Sequence, residues 1–354
     1  MSMVKLHWEK IFVAGYEEVF HVTCPEEGFS AALAIHTMFD GRSLGGTRVI
    51  HYEDFDQALR DALRLSRAMT YKSVMAGGAF GGAKSVVMLG PGQRVTERLL
   101  EVFAQAVNEL EGRYICAEDS GLTLDHMALL RKYTPHVVGV VSEDSSGNPS
   151  RFTAWTTFLG VRAACEALYE STSIRGKKVA IQGLGAVGML FADLLFWHGA
   201  DLIVTDLREE ALKKAVLDFD ATVVLPDEIY DIECDIFAPC ALGGVLSKET
   251  IPRLKADIVC GCANNQLLEK EDAQLLHERD ILYVPDYIAN SGGLINVNLE
   301  KVLARYSAKV AREETDEVFE RLREVFFLAR KEKISPAEAA DHIVEERIFN
   351  LTSA

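Results

Sequence analysis

Five residues of strand composition, Lys178-Val179-Ala180-Ile181-Gln182, run straight into Gly183-Leu184-Gly185-Ala186-Val187-Gly188. An apolar helical stretch follows as far as Phe196, and a second strand, Leu202-Ile203-Val204-Thr205, closes at Asp206. Glycines so placed permit a tight turn and a close approach to the main chain. The helix N-terminus behind them presents free N–H groups that favour an anion. A glycine pattern alone is weak, but between a strand and a helix, with an acidic residue ending the next strand, it predicts a dinucleotide site in a doubly wound α/β domain. Asp206 is expected to hydrogen-bond the adenosine ribose and to repel a 2′-phosphate, favouring NAD over NADP, with Arg208 nearby moderating that preference. The alternative is a doubly wound domain without a nucleotide.

Three further strands, at residues 235–238, 257–260 and 281–284, run into Pro239-Cys240-Ala241, Ala263-Asn264-Asn265-Gln266 and Pro285-Asp286-Tyr287. Small or polar clusters at strand ends suit the ligand-facing edge of a parallel sheet. Asn290-Ser291-Gly292-Gly293 introduces the C-terminal helices, and the last of these opens at Ser335-Pro336-Ala337-Glu338 with the pattern of a capping box.

The first half carries a different signature, two lysines at the ends of a glycine-rich stretch. Lys72 follows a helix-period run (Phe55, Ala58, Leu59, Ala62, Leu63, Met69), and Lys84 opens the strand-like Ser85-Val86-Val87-Met88-Leu89. Gly77, Gly78, Gly81 and Gly82 between them read as a loop wrapped around something small. Two ammonium groups in one pocket repel, and burial disfavours the charged form, so one of them is expected to have a lowered pKa and to act as a base. The plain alternative is a pair of solvated surface lysines. Residues 30–35 and 46–50 have strand composition, residues 96–110 form an amphipathic helix, and the strand 114–117 ends at Glu118-Asp119. Asp119 either joins the lysine pocket or caps a helix starting near Thr123.

The chain of 354 residues is long enough for two domains. Ser145-Ser146-Gly147-Asn148-Pro149-Ser150 marks the break, with a helix from residue 153 to 169 beyond it. The expected division is a substrate-binding domain at 1–144 and a dinucleotide-binding domain at 150–326, with residues 327–354 returning to the first. A net charge of −16 argues against a nucleic-acid or anionic-membrane surface. No apolar run has signal-peptide or membrane-span length, so a cytoplasmic protein is expected. Seven scattered cysteines read as reduced thiols, and Cys260-Gly261-Cys262 lacks the spacing of a zinc site, so no metal is expected.

Leu44-Gly45-Gly46-Thr47-Arg48, Met69-Thr70-Tyr71-Lys72, Gly81-Gly82-Ala83-Lys84, Ala117-Glu118-Asp119, the glycine fingerprint, Ala263-Asn264-Asn265-Gln266-Leu267, and Pro285-Asp286-Tyr287 through Gly293 occur in one order along nearly the whole chain. In this the sequence resembles the amino-acid dehydrogenases of the glutamate/leucine/phenylalanine/valine class, most closely the branched-chain and aromatic members. The resemblance implies reversible oxidative deamination of an L-amino acid with NAD to a 2-oxo acid and ammonia, by a homo-oligomer built through the first domain. It implies that Lys72 pairs with the substrate carboxylate, helped by the backbone near Gly45. Lys84 would activate the attacking water, and Asp119 would exchange protons with the amino group. Leu44, Ala117, Leu294 and Val297 would line an apolar side-chain pocket, which argues against glutamate as substrate. Thr153 and Asn290 would hold the nicotinamide end, and Asn264 and Asn265 its ribose region. Gly183 to Gly188, Asp206 and Leu207 would hold the pyrophosphate and adenosine, with Arg48, Cys240, Ala241 and Ala263 counted on the cofactor side. Branched-chain substrates come first and phenylalanine or tryptophan second. A non-catalytic or condensing member of the same fold is the rival reading. The catalytic turn departs from the family in having Ala83 where a third glycine is more frequent, and Ser291 stands where alanine is common.

Overall fold

A computed structural model describes residues 4–140, 146–303 and 305–352. It divides into two compact units: Met1–Gly147 with Val297–Ser307 and Asn350–Ala354, and Asn148–Asn296 with Ala308–Phe349. The first unit contains β1 (His7–Lys10), β2 (Glu18–Cys24), β3 (Phe29–Ile35), β4 (Ser43–His51), α1 (Phe55–Met75), β5 (Gly81–Leu89), α2 (Glu97–Glu109), β6 (Tyr114–Glu118) and α3 (Leu124–Tyr133). Its six strands form one sheet in the order β1-β2-β3-β5-β4-β6. The first pairings are antiparallel, whereas β4 pairs parallel with both β5 and β6.

Alternation along these strands assigns the two faces. Val86 packs on Ala58 and Ala62 of α1, while Ala83 and Val87 face the cluster of Leu100, Phe103 and Val107 of α2. Both faces of β5 are therefore covered, and its side chains are buried from Gly81 to Val87. Asp54 caps α1 by accepting from the Gln57 N–H, and Thr96 caps α2 by accepting from the Leu99 N–H.

The second unit begins with α4 (Ser150–Tyr169) and continues through β7 (Lys178–Gln182), α5 (Ala186–Trp197), β8 (Asp201–Thr205), α6 (Glu209–Phe219), β9 (Thr222–Val223), β10 (Ile236–Pro239), β11 (Ile258–Val259), α7 (Asp272–Glu278), β12 (Leu282–Tyr283) and α8 (Asp286–Ala289). After it come α9 (Gly292–Val302), α10 (Ala308–Asp316), α11 (Val318–Glu332) and α12 (Pro336–Thr352). Its sheet is wholly parallel in the order β12-β11-β10-β7-β8-β9. That is the doubly wound order, with the direction of winding reversing between β7 and β10.

The sequence expectation is corrected in three places. Residues 308–349 belong with the second unit, because the buried face of α11, including Leu322, Val325 and Phe326, packs on α4, and Lys270 pairs with Asp341 of α12 at 2.8 Å. Besides the chain end from Asn350, the segment that returns to the first unit is Val297–Ser307, where Glu300 accepts from the Gly139 and Ser146 N–H groups. Gly81 and Gly82 are the first residues of β5 rather than part of a loop. The expected end of the first domain at residue 144 and the start of the linker at Ser145 lie outside the described residues; the two units part at Gly147 and Asn148.

Candidate active site

Lys84 is the fourth residue of β5, 5 % exposed, on the strand face that also carries Gly82 and Val86. It sits there because its neighbours have no side chains. A Cβ at Gly46 would stand 2.9 Å from Lys84 Nζ and 3.0 Å from Asp119 Cβ, and one at Gly45 would stand 1.6 Å from the Ala83 carbonyl oxygen. Gly82 performs the same service toward α1, where a Cβ would stand 2.1 Å from the Thr70 nitrogen. The glycines flanking the lysines thus serve backbone-to-backbone packing, which draws the end of α1, Lys72 included, close to β5. Lys72 lies in the last turn of α1, half-buried.

The Lys84 ammonium donates to Asp119 Oδ2. Asp119 follows β6 and is not the cap of α3, since Thr123 takes that place by accepting from the His126 N–H. Burial lowers the Lys84 pKa and the Asp119 charge works against this; the adjacent Arg48 cation lowers it further. The Asp119 carboxyl is pushed up by burial, but Lys84 and Arg48 outweigh that and leave it below the ordinary range. The expectation of a lysine with lowered pKa therefore holds for Lys84, with Arg48 as the second cation acting on it.

Arg48, expected on the cofactor side, belongs to this cluster. Its Nη1 donates to Asp61 Oδ2 at 2.6 Å and its Nε lies 3.4 Å from Asp119 Oδ2. Tyr52 donates to the same Asp61 oxygen at 2.5 Å, and Arg64 donates to the other at 3.0 Å. Asp61 and Tyr52 belong to no motif, since Asp61 lies within the amphipathic α1 and Tyr52 in the segment before it. Beneath the cluster, the buried Tyr114 hydroxyl donates to the Gly45 carbonyl at 3.1 Å and meets Ser85 and Thr47. Leu44 is buried in β4, with Ala117 and Val297 half-buried in the same unit. Leu294 belongs to the second unit.

The remaining residues expected to hold the cofactor lie in the second unit, mostly at the C-terminal ends of its strands. Gly183 has φ +103° and would meet Ala241 with any Cβ, so the turn after β7 is closed to other residues. A Cβ at Gly188 would meet the Gly183 carbonyl oxygen at 2.3 Å, so this glycine seats α5 against the turn. Gly185 faces open space, with nothing within 4 Å of a Cβ placed there. Those are the three roles of a pyrophosphate-binding turn, the second glycine being the point of approach. Ala186 and Val187 begin α5.

Asp206, at the end of β8, accepts from the Leu184 N–H at 2.7 Å and from the Arg208 N–H and Nε. Burial pushes its carboxyl up, but these bonds leave it below the ordinary range. Leu207 beside it is 91 % exposed. Cys240 and Ala241 follow β10, and Cys240 Sγ lies 3.5 Å from Cys262 Sγ. Ala263, Asn264 and Asn265 follow β11, Asn265 with φ +51°. The Asn290 amide donates to Asn264 Oδ1 at 2.9 Å and to the Ala263 carbonyl at 3.2 Å, which ties these loops together. Thr153 stands in the first turn of α4, and a Cβ on Gly293 would meet its hydroxyl at 2.9 Å. The open backbone at Gly185, the helix behind it and the acidic residue at the next strand end fit a dinucleotide.

Family models match both halves of the chain. Residues 201–345 match that of the glutamate/leucine/phenylalanine/valine dehydrogenases, and residues 16–136 match the dimerisation domain of the same enzymes. The chain is 42 % identical to the leucine dehydrogenase of Geobacillus stearothermophilus over 96 % of its own length and 92 % of that protein's.

The chain belongs to the Glu/Leu/Phe/Val dehydrogenase family.

It is an amino-acid dehydrogenase of that family by both measures. It is also 39 % identical to the phenylalanine dehydrogenase of Lysinibacillus sphaericus, over 97 % of this chain and 92 % of that one. The crystal structure of L-tryptophan dehydrogenase from Nostoc punctiforme superimposes with a TM-score of 0.85 at 38 % identity, covering 95 % of this chain and 97 % of that one. The two-domain α/β architecture is shared with this relative. Among the described residues no cluster of His, Cys, Asp and Glu could hold a metal ion, and no helix is long and apolar enough to cross a membrane.

Proposed function

We propose that this dehydrogenase catalyses reversible NAD-dependent oxidative deamination of an apolar L-amino acid, with branched-chain substrates such as leucine and valine first, to the 2-oxo acid and ammonia. The observation that carries the reading is the buried Lys84–Asp119 pair beside Arg48, a base and a carboxylate arranged for proton traffic around an amine. Lys72 binds the substrate carboxylate together with the Gly45 backbone. Asp119 takes a proton from the substrate ammonium. Lys84, in its neutral form, accepts a proton from the water that attacks the imino carbon.

NAD supplies the hydride acceptor. Gly183, Leu184, Gly185, Ala186, Val187 and Gly188 would hold its pyrophosphate, and Asp206 and Leu207 its adenosine. Asn264 and Asn265 would lie at the nicotinamide ribose, and Thr153, Cys240, Ala241, Ala263 and Asn290 toward the ring. Leu44, Ala117, Leu294 and Val297 would receive the side chain, and none carries a charge to balance a second carboxylate. An aromatic substrate is the second reading, supported by the likeness to the tryptophan dehydrogenase structure and to phenylalanine dehydrogenase. Seven free cysteines suit a reducing cytoplasm.

The test is absorbance of NADH formed on a panel of amino acids. Leucine, valine and isoleucine should give the highest kcat/KM. The absence of NADH with every apolar amino acid would refute the assignment. Lys84→Ala should lose at least about a thousand-fold in kcat while NAD still binds. Retained turnover removes the base role from Lys84.

A further inference from the structure

We propose that Arg48 is a positioning residue that takes over the Asp119 carboxylate each time Lys84 gives up its proton, and that Asp61 and Tyr52 hold Arg48 ready to do so. The inference rests on the reading of Lys84 as a base. One carboxylate oxygen, Asp119 Oδ2, receives the Lys84 ammonium and also lies 3.4 Å from Arg48 Nε. That Nε is buried and makes no hydrogen bond. It is ion-paired with the carboxylate at that distance but not in hydrogen-bonding geometry with it. The other side of the guanidinium is fixed, since Nη1 donates to Asp61, whose two oxygens also receive Tyr52 and Arg64. Tyr52 stays a donor because burial and Asp61 push its hydroxyl up to about 12.

Neutral Lys84 leaves Asp119 with one cation fewer in a half-buried place. Arg48 keeps its charge at any working pH, and a small shift brings its Nε into hydrogen-bonding geometry with the vacated oxygen. Asp119 then remains ionised while Lys84 is neutral, which is the pairing of states the reaction needs.

The charges acting on Lys84 come from every neighbouring element: Asp119 after β6, Arg48 on β4 and Asp61 on α1, with Tyr52 and Arg64 acting through Asp61. Glu118 at the end of β6 is exposed, and Lys72 lies in the last turn of α1. Arg48 disfavours the Lys84 ammonium and Asp61 favours it. The two substitutions should therefore move Lys84 in opposite directions. The experiment is kcat/KM against pH for the full-length enzyme and for Arg48→Gln, Arg48→Lys and Asp61→Asn, with NAD binding followed by fluorescence.

Arg48→Gln should move the acid limb up by about one pH unit, Asp61→Asn should move it down, and Arg48→Lys should fall between wild type and Arg48→Gln. NAD affinity should stay unchanged. Superimposed pH profiles together with an unmoved Lys84 titration overturn the proposal, as does weakened NAD binding with both unmoved, which would return Arg48 to the cofactor. The titration of Lys84 itself, followed through its 13Cε resonance in lysine-labelled protein and assigned by its loss in Lys84→Ala, separates the two readings. If that resonance shifts with the substitutions while the rate profile does not, the coupling to Arg48 stands and the base role of Lys84 falls. If neither moves, the proposal for Arg48 falls alone.

Discussion

His36 lies just past β3, and its Nδ1 is 2.8 Å from the Thr70 hydroxyl on α1. Burial lowers its pKa to about 4, with the Arg67 charge acting in the same direction. The folded protein therefore holds a neutral imidazole through a range where the unfolded chain takes up a proton. Stability is full above the unfolded value near 6.5 and falls as the pH drops toward 4. Allowing for partial exposure, the loss across that window is about 2 kcal/mol. Urea midpoints at pH 7 and pH 4.5 should show it, and His36→Gln should flatten the slope. An unchanged slope in that variant would assign the acid sensitivity to other groups. Residues such as His36, Tyr52 and Asp61 carry no sequence signature, because their role comes from neighbours distant in the chain. Lys84 and Asp119 stood out because each lies near glycines at a segment of strand composition.

Elements place the chemistry. The turn between β7 and α5 and the acidic end of β8 form one device, because Asp206 both accepts the Leu184 N–H and engages Arg208. Arg208 also donates to the Leu184 carbonyl at 2.9 Å, so its guanidinium is held down by the turn it borders. Replacing Asp206 by Ser removes the repulsion of a 2′-phosphate and frees Arg208 to meet one. The ratio of kcat/KM for NAD over NADP should fall by at least about ten-fold, measured with the preferred amino acid. A ratio that stays put would show that Asp206 serves the turn alone. A second element-scale expectation concerns α3, whose capping box joins Thr123 and His126. Thr123→Ala should cost about 1 kcal/mol in the urea midpoint extrapolation, with the helix packing otherwise unaltered.

For the molecule as a whole, the family's name for residues 16–136 as a dimerisation domain points to an assembly. Light scattering in dilute buffer should give a mass that is a multiple of 39.1 kDa, two or more chains together. A monomeric mass at micromolar concentration would refute that expectation. A net charge of −16 per chain works against nonspecific self-association at low salt.

Local chemistry was enough to set the strand–glycine–helix order, the parallel sheet of the second unit and the approximate break between the units. These depend on backbone freedom, side-chain period and composition, which neighbours in sequence supply. Tertiary structure alone decided that Gly81 and Gly82 are strand residues, since their requirement is a backbone from α1 and from Thr37 lying where a Cβ would go. It also decided that α10, α11 and most of α12 pack with the second unit, and that the cation acting on Lys84 beside Asp119 is Arg48. Burial and charge proximity are sums over residues brought together from distant parts of the chain, and no local pattern contains them.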